Sequence, residues 1–328
     1  MLKFAYSILV LCLVASLEET AANSEPIDLL KSDIFSARSG YHYGNNERQI
    51  YYPQQAQSES GTWTLTANKV PAVACQFLSS IIGQCDYQSG WIDTYHPNPD
   101  NGWVIPQYSR GTIIFEASIT TPANNAKGMW PAIWLLPKSL GPALNNSISL
   151  YPWPLNGEID VLEIRGSQKH HLSNAVHYGA DGDSGHAYKG VALTSQQFDR
   201  SEPNQYGFSW DFTKTGPLGS NATLSWYLRT PSGSWQHLNS IDLSQLADNR
   251  QEILCPRLSW RFPALNQLSK ECYRNQFIAG MESGYYLIIN LAVGGVYDGD
   301  PVQDLSGSKM HIHSGLYYPD LDSPNSLN

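Results

Sequence analysis

The sequence predicts an all-β chain folded as a sandwich of two antiparallel sheets. Strand-like runs recur at Thr62–Ala67, Gly111–Ile119, Ala132–Leu136, Glu158–Ile164, Ala175–Tyr178, Gln205–Asp211, Thr223–Arg229 and Tyr285–Val293. Gly, Pro, Asn or Ser punctuates the gaps, and none of the gaps holds a helical period long enough for a βαβ unit. Composition agrees: 26 Gly, 20 Pro, 19 Tyr and 10 Trp accompany only 15% charged residues, a mixture that suits short strands joined by many turns. With 328 residues and 41% hydrophobic content the chain can bury a sizeable core. No linker, internal repeat or second module interrupts it, so a single domain over residues 25–325 is expected.

At the N-terminus, Lys3 precedes an apolar run from Phe4 to Leu17, and the polar stretch Glu18-Glu19-Thr20-Ala21-Ala22-Asn23 follows. This is the layout of a secretory signal peptide over residues 1–22, cut after Ser16 or after Ala22. The run is short for a membrane span, a retained signal anchor being the alternative, and no later segment resembles a transmembrane helix. The mature protein is therefore expected outside the cell, free of the membrane and monomeric. Its formal charge of −9 argues against a nucleic-acid partner, whose phosphates demand basic patches.

Secretion makes the cysteines legible. Cys12 lies in the signal segment, which leaves Cys75, Cys85, Cys255 and Cys272, an even number suited to an oxidising compartment. Three pairings are open, and proximity favours Cys75 with Cys85 and Cys255 with Cys272, each stabilising by roughly 2–4 kcal/mol. No C-x-x-C occurs, so zinc binding and thiol catalysis are not expected. Asn145-Asn146-Ser147 and Asn221-Ala222-Thr223 are glycosylation sequons, usable where the chain passes through a eukaryotic secretory path.

The run Glu158-Ile159-Asp160-Val161-Leu162-Glu163 departs from an ordinary buried strand because it carries three carboxylates. In a regular strand Glu158 and Asp160 share a face with Leu162, while Glu163 points the other way. One β-bulge between Asp160 and Glu163 adds the residue needed to return Glu163 to the first face, so that all three acids line one cleft. Two carboxyls facing one sugar bond, roughly 5–5.5 Å apart, are what a retaining glycosidase uses as nucleophile and as general acid then base. Asp160 between them can set which acid keeps its proton. The plain alternative is three solvent-facing acids on an amphipathic strand.

The wider sequence favours the chemical reading. Gly157 to Glu163 resembles the signature of glycoside hydrolase family 16, in the bulged form of its laminarinase-like members. Asn45-Asn46-Glu47-Arg48-Gln49-Ile50-Tyr51-Tyr52 is similar to the family's N-N-E-x-Q-Y-Y segment, and Gly128-Met129-Trp130-Pro131-Ala132-Ile133-Trp134-Leu135-Leu136-Pro137 to its G-x-W-P-A-x-W-L-L-P strand. His177-Tyr178-Gly179, Tyr206 to Trp210 and Leu287 to Gly295 resemble later family blocks in the expected order. The resemblance implies a β-jelly-roll whose concave sheet forms the substrate cleft. It also implies a retaining endo-β-1,3-glucanase acting on laminarin-type β-glucan, with Glu158 as nucleophile, Asp160 tuning it, and Glu163 as acid/base.

Aromatic rings that can stack on the apolar faces of pyranose sugars lie close to that strand in sequence: Trp130, Trp134 and Trp153. By the resemblance, Trp134 and Trp153 lie near the scissile bond, Asn46 bonds a sugar hydroxyl on the donor side, and His177 faces the acceptor side. Core packing is the alternative for each tryptophan, and a satisfied structural role for the histidine. His311-Ile312-His313 alternates onto one face but lacks a third metal ligand, and Asp181-Gly182-Asp183-Ser184-Gly185 opens like a calcium loop without the bidentate Glu, hence a turn. No cofactor is expected in the chemistry; family members often bind one structural Ca2+, for which no ligands are assigned.

Three departures from the family pattern stand out. Phe115-Glu116-Ala117-Ser118 replaces F-E-A-R, which removes a basic residue expected near the cleft. Met310 to Tyr318 replaces the usual closing V-D-Y-V-R-V, and the block from Ser232 to Ser283 is long. Two other functions use the same fold: a glucan-binding recognition protein, which typically loses an acid, and a transglycosylase, which keeps all three. A hydrolase of mixed-linkage glucan is a further variant.

Overall fold

A computed structural model describes residues 25–327, apart from 32, 42–44, 78–80, 99–100, 145–156, 180–185, 196, 214–221, 243–279 and 282. The first strands in chain order are β1 (Ile27–Asp28), β2 (Ser36–Ala37), β3 (Gln49–Tyr51), β4 (Ala56–Glu59), β5 (Thr62–Phe77) and β6 (Ile81–Ser89). The middle of the chain supplies β7 (Trp91–Asp93), β8 (Arg110–Thr120), β9 (Met129–Pro137), β10 (Glu158–Glu163), β11 (His171–Gly179) and β12 (His186–Thr194). The last strands are β13 (Asn204–Asp211), β14 (Thr223–Arg229), β15 (Gln236–Asp242), β16 (Tyr285–Val293) and β17 (Ser308–Pro319).

Among the described residues these strands form two sheets. Ten strands run β15-β14-β13-β8-β17-β5-β6-β3, with β1 beside β17 and β4 beside β5, and seven run β12-β11-β10-β9-β16-β7-β2. Seven of the eight expected runs lie wholly in strands, and the eighth, Glu158–Ile164, runs one residue past the end of β10. One pairing departs from the antiparallel expectation: β3 runs parallel to β6, with Gln49 opposite Tyr87.

Period-two alternation builds the core. In β8, Ile113, Phe115, Ala117 and Ile119 turn inward; in β9, Ile133 and Leu135; in β16, Leu287, Ile289, Leu291 and Val293, all within one buried cluster. The residues between them face outward, which decides what reaches the site. Ser118 is one of the outward residues of β8, and its hydroxyl meets His313 Nε2 at 2.9 Å. The missing basic residue at this position therefore lies on the outer side of the ten-stranded sheet and not at the cleft, which corrects the expectation drawn from F-E-A-R.

The segment that replaces the family's closing strand is β17, central between β8 and β5. Its pairing with β8 slips between Ile312 and Ser314, so its period-two signal breaks at His313. His311 Nδ1 meets Thr64 Oγ1 at 3.1 Å on the same outer face, a structural placement for the pair.

Several expectations fall outside the described residues: the signal segment 1–22, Trp153, the sequon asparagines Asn145 and Asn221, Cys255, Cys272 and the loop Asp181–Gly185. Cys75 and Cys85 lie on β5 and β6, where Cys75 pairs with Gly83 and Cys85 with Val73.

Candidate active site

The site is built on β10, and its local shape follows from a misfit of period. Against β11, Asp160 pairs with Ala175 but Glu163 with Ser173, so three steps on one strand meet two on the other. Against β9 the shift falls between Asp160, opposite Trp134, and Leu162, opposite Ile133. Val161 and Leu162 consequently both enter the core, beside Ile159 and Ile164. Glu158, Asp160 and Glu163 are left on the outer face, as the bulge reading expects.

A bulge releases backbone groups from the ladder, and a buried carbonyl left bare costs about 1–3 kcal/mol. Here the Asp160 carbonyl accepts from Trp226 Nε1 at 2.9 Å. Trp226 comes from β14 in the opposite sheet and is 1% exposed. The core of the sandwich thus holds the kink that turns the acids outward. Nothing near Glu158 in sequence announces Trp226, because the contact crosses between sheets.

Register brings further side chains to the acids. His177 is opposite Glu158, and Ala132 and Ser173 flank Glu163. His177 Nε2 lies 3.1 Å from Asp160 Oδ2. Asp160 is only 2% exposed, and burial pushes its carboxyl up to about 8 while its hydrogen bond with Glu158 pulls the other way. The Glu163 carboxyl is also pushed up to about 8, first by loss of water and then by the negative charge of Asp160; His177, the bond from Trp130 and Arg165 oppose the rise. Trp130 Nε1 donates to Glu163 Oε1 at 3.0 Å. An acid able to give up a proton near neutral pH thus shares a face with Glu158.

Glu158, Asp160 and His177 each offer an atom within 4.8 Å of the others, a grouping that could take a metal ion. One imidazole and two carboxylates are a poor match to the six to eight oxygens that calcium prefers, so structural Ca2+ does not fit this centre.

Aromatic residues floor the same outer face. Trp134, opposite Asp160, is 7% exposed and meets Trp91 edge-on at 5.6 Å. Its Nε1 donates to Asn290 Oδ1 at 2.7 Å, Asn290 Nδ2 to the Tyr51 hydroxyl at 3.0 Å, and Tyr51 to Glu47 Oε2 at 3.3 Å. Glu47, 4% exposed, also accepts from the side chains of Asn45, at 3.3 Å, and Gln49. Asn46 between them is exposed at positive φ (56°). Gly295 at φ +88° closes this corner, since a Cβ there would sit 2.9 Å from the Asn45 carbonyl oxygen and 3.6 Å from Trp130.

The site therefore gathers Glu158, Asp160, Glu163, Trp130, Trp134 and His177 on adjacent strands. Asn46 lies outside this group, exposed beside the buried Glu47 whose carboxylate bonds Asn45 and Gln49. Glu47, Tyr51 and Asn290 were not singled out from sequence, although Glu47, Gln49 and Tyr51 are spaced by two, the signal of one strand face.

The fold is that of laminarinases. The catalytic domain of the Thermotoga maritima laminarinase superposes with a TM-score of 0.56 at 22% identity, covering 89% of this chain and 93% of that one. LamA from Z. galactanivorans, in complex with laminaritriose and laminaritetraose, gives 0.57 at 16% identity over 90% and 100%. In sequence, the chain is 25% identical over 272 residues to a glucan endo-1,3-beta-glucosidase of Cryptopygus antarcticus, covering 81% of this chain and 76% of that protein. It is 26% identical over 190 residues to glucan endo-1,3-beta-glucosidase A1 of Niallia circulans, covering 58% of this chain and spanning 21% of that relative's length. No family model matches the chain. At these identities the likeness to solved structures carries the β-jelly-roll architecture and leaves the chemistry to the residues above.

Proposed function

We propose that this protein is a secreted, retaining endo-β-1,3-glucanase that hydrolyses laminarin-type glucans. The observation that carries the reading is the bulge in β10, which turns Glu158, Asp160 and Glu163 to one face between Trp130, Trp134 and His177. The sequence relatives, both glucan endo-1,3-beta-glucosidases, support the substrate class.

In the proposed reaction Glu158 attacks the anomeric carbon as the glycosidic C–O bond breaks, and protonated Glu163 gives its proton to the departing oxygen. A glycosyl ester on Glu158 results, with Glu163 now ionised. Glu163 next takes a proton from water, whose oxygen attacks the same carbon and releases Glu158. Two inversions leave the β configuration intact. Asp160, bonded to Glu158 and beside His177, governs how charge is shared among the acids as they exchange protons.

The proposal extends to a cleaved signal peptide, glycans at Asn145 and Asn221, and disulfides Cys75–Cys85 and Cys255–Cys272. The direct pairing of β5, which carries Cys75, with β6, which carries Cys85, supports the first pair. Mature chain incubated separately with laminarin, mixed-linkage β-glucan and agarose tests the function through reducing ends and product sizes. Short β-1,3 oligomers from laminarin are expected; laminarin bound but uncut would move the assignment to a glucan-recognition protein.

A further inference from the structure

The segment after β16 carries an aromatic residue that reaches Glu163 through another ring. Tyr297 stacks on Trp130 with ring centroids 4.8 Å apart and planes at 26°. Trp130 is the indole that bonds Glu163 at 3.0 Å. The Tyr297 hydroxyl pairs with Ser173 Oγ, and Ser173 is the residue opposite Glu163 on β11. The Arg165 guanidinium lies 4.6 Å from the Tyr297 ring centroid. Glu163, Ser173, Trp130, Tyr297 and Arg165 thus form one continuous packed unit.

The backbone around Tyr297 is fixed as firmly as the ring. Asp298, 8% exposed, accepts from the Gly128 amide at 2.8 Å, the Ser167 amide at 2.9 Å and the Ser167 hydroxyl. Gly128 leads into β9, which carries Trp130, and Ser167 follows β10, which carries Glu163. One carboxylate therefore ties the Tyr297 segment to both strands. Offset stacking restricts the angle of the Trp130 indole, and the direction of its N–H follows from that angle.

We propose that Tyr297 is a positioning residue for Glu163, holding the Trp130 indole at the angle from which Nε1 bonds the carboxyl, with Arg165 completing the unit. This rests on Glu163 being the acid/base. The charged groups around Glu163 are Glu158 and Asp160 on its own strand, His177 on β11, and Arg165; Asp160 raises its proton affinity, whereas His177 and Arg165 lower it. Trp130 touches Glu163 directly, so its loss would confound positioning with polarity. Tyr297 separates the two.

The test compares kcat/KM on two substrates. A laminari-oligosaccharide needs a proton on its departing oxygen, whereas a dinitrophenyl laminaribioside does not, so only the first depends on a well-aimed acid. Tyr297→Leu is expected to lose about 10- to 100-fold on the oligosaccharide and under about threefold on the aryl glycoside, while Tyr297→Phe, which keeps the stack, stays within about threefold on both. Arg165→Met should move the basic limb of the pH profile upward, since a cation that favours the ionised acid is gone. Equal losses on both substrates, or no loss on either, would overturn the proposal. If Tyr297→Leu does not fold, an unmoved basic limb in Arg165→Met overturns it instead. Glu163→Gln in the same assay separates the two levels: a loss independent of leaving group would sink the acid/base assignment itself, whatever Tyr297 does.

Discussion

Both sheets of the sandwich turn one face outward, yet the two faces differ in what they do to polar groups. On the ten-stranded sheet the outward residues satisfy one another in short pairs: Thr112 with Ser209 at 2.8 Å, Ser225 with Ser240 at 2.7 Å, His311 with Thr64 at 3.1 Å. On the seven-stranded sheet the outward residues include Trp91 at 0%, Tyr286 at 0% and Trp134 at 7% exposure, with Asp160 at 2% among them. Of the carboxylates, Glu116 on the first face is half-buried and accepts from Gln205 Nε2 at 3.0 Å. On the second, loss of water pushes two of them up to about 8. The neighbours, not the residue type, turn an acid into a proton donor at neutral pH.

Removing the acids should break this contrast most sharply. Glu158→Gln is expected to abolish turnover while glucan binding persists, measured by kinetics alongside calorimetry. Glu163→Gln should lose about 10²–10⁴-fold in kcat, and azide should restore turnover to Glu163→Ala by replacing the attacking water. Asp160→Asn should lose less and move the basic limb downward, because the negative charge that raises Glu163 is gone. An active Glu158→Gln protein would overturn the mechanism.

Next in size is the bulge anchor. Trp226→Phe leaves the Asp160 carbonyl without its donor, and a destabilisation of about 1–3 kcal/mol is expected together with a fall in kcat. Trp210→Phe is its control in the same core: its Nε1 bonds Ser109 Oγ at 2.9 Å and not the bulge carbonyl, so stability should fall with kcat unchanged. Equal kcat losses in the two variants would mean that the bulge carbonyl has no special role.

Stability against pH gives a subtler contrast. Asp160 and Glu163 hold protons more tightly in the folded state than at their ordinary values of 3.8 and 4.5. Their contribution is therefore fully present below about pH 4 and is lost as pH rises through about 8. Melting temperature should decline across that window, and Asp160→Asn should flatten the decline. The smallest effect belongs to the opposite face, where His311→Asn is expected to change activity less than twofold and stability by about 0.5 kcal/mol or less.

How much of this was legible in the sequence depended on how local the cause was. The bulge could be read because acids at positions 158, 160 and 163 share a face only if one residue is extra. The strands carrying Trp134 and Asn290 were plain from their unbroken apolar runs. The central strand β17 was hidden by its own slip at His313, and the parallel pairing of β3 with β6 has no local signature. Trp226, Tyr297 and Glu47 act through contacts between segments distant in sequence, which spacing along one strand cannot reveal. The position of Ser118 was misjudged for a related reason, since the face of a strand is fixed by which sheet it joins.

In the proposed mechanism the bulged face of β10 presents Glu158 as the attacking group. Incubating the protein with a 2-deoxy-2-fluoro laminaribioside that carries an activated leaving group should trap the glycosyl ester, and peptide mass spectrometry then locates it. A label on Glu158 is expected. A label on Asp160 or Glu163, or turnover to α-configured product with no ester formed, would contradict it.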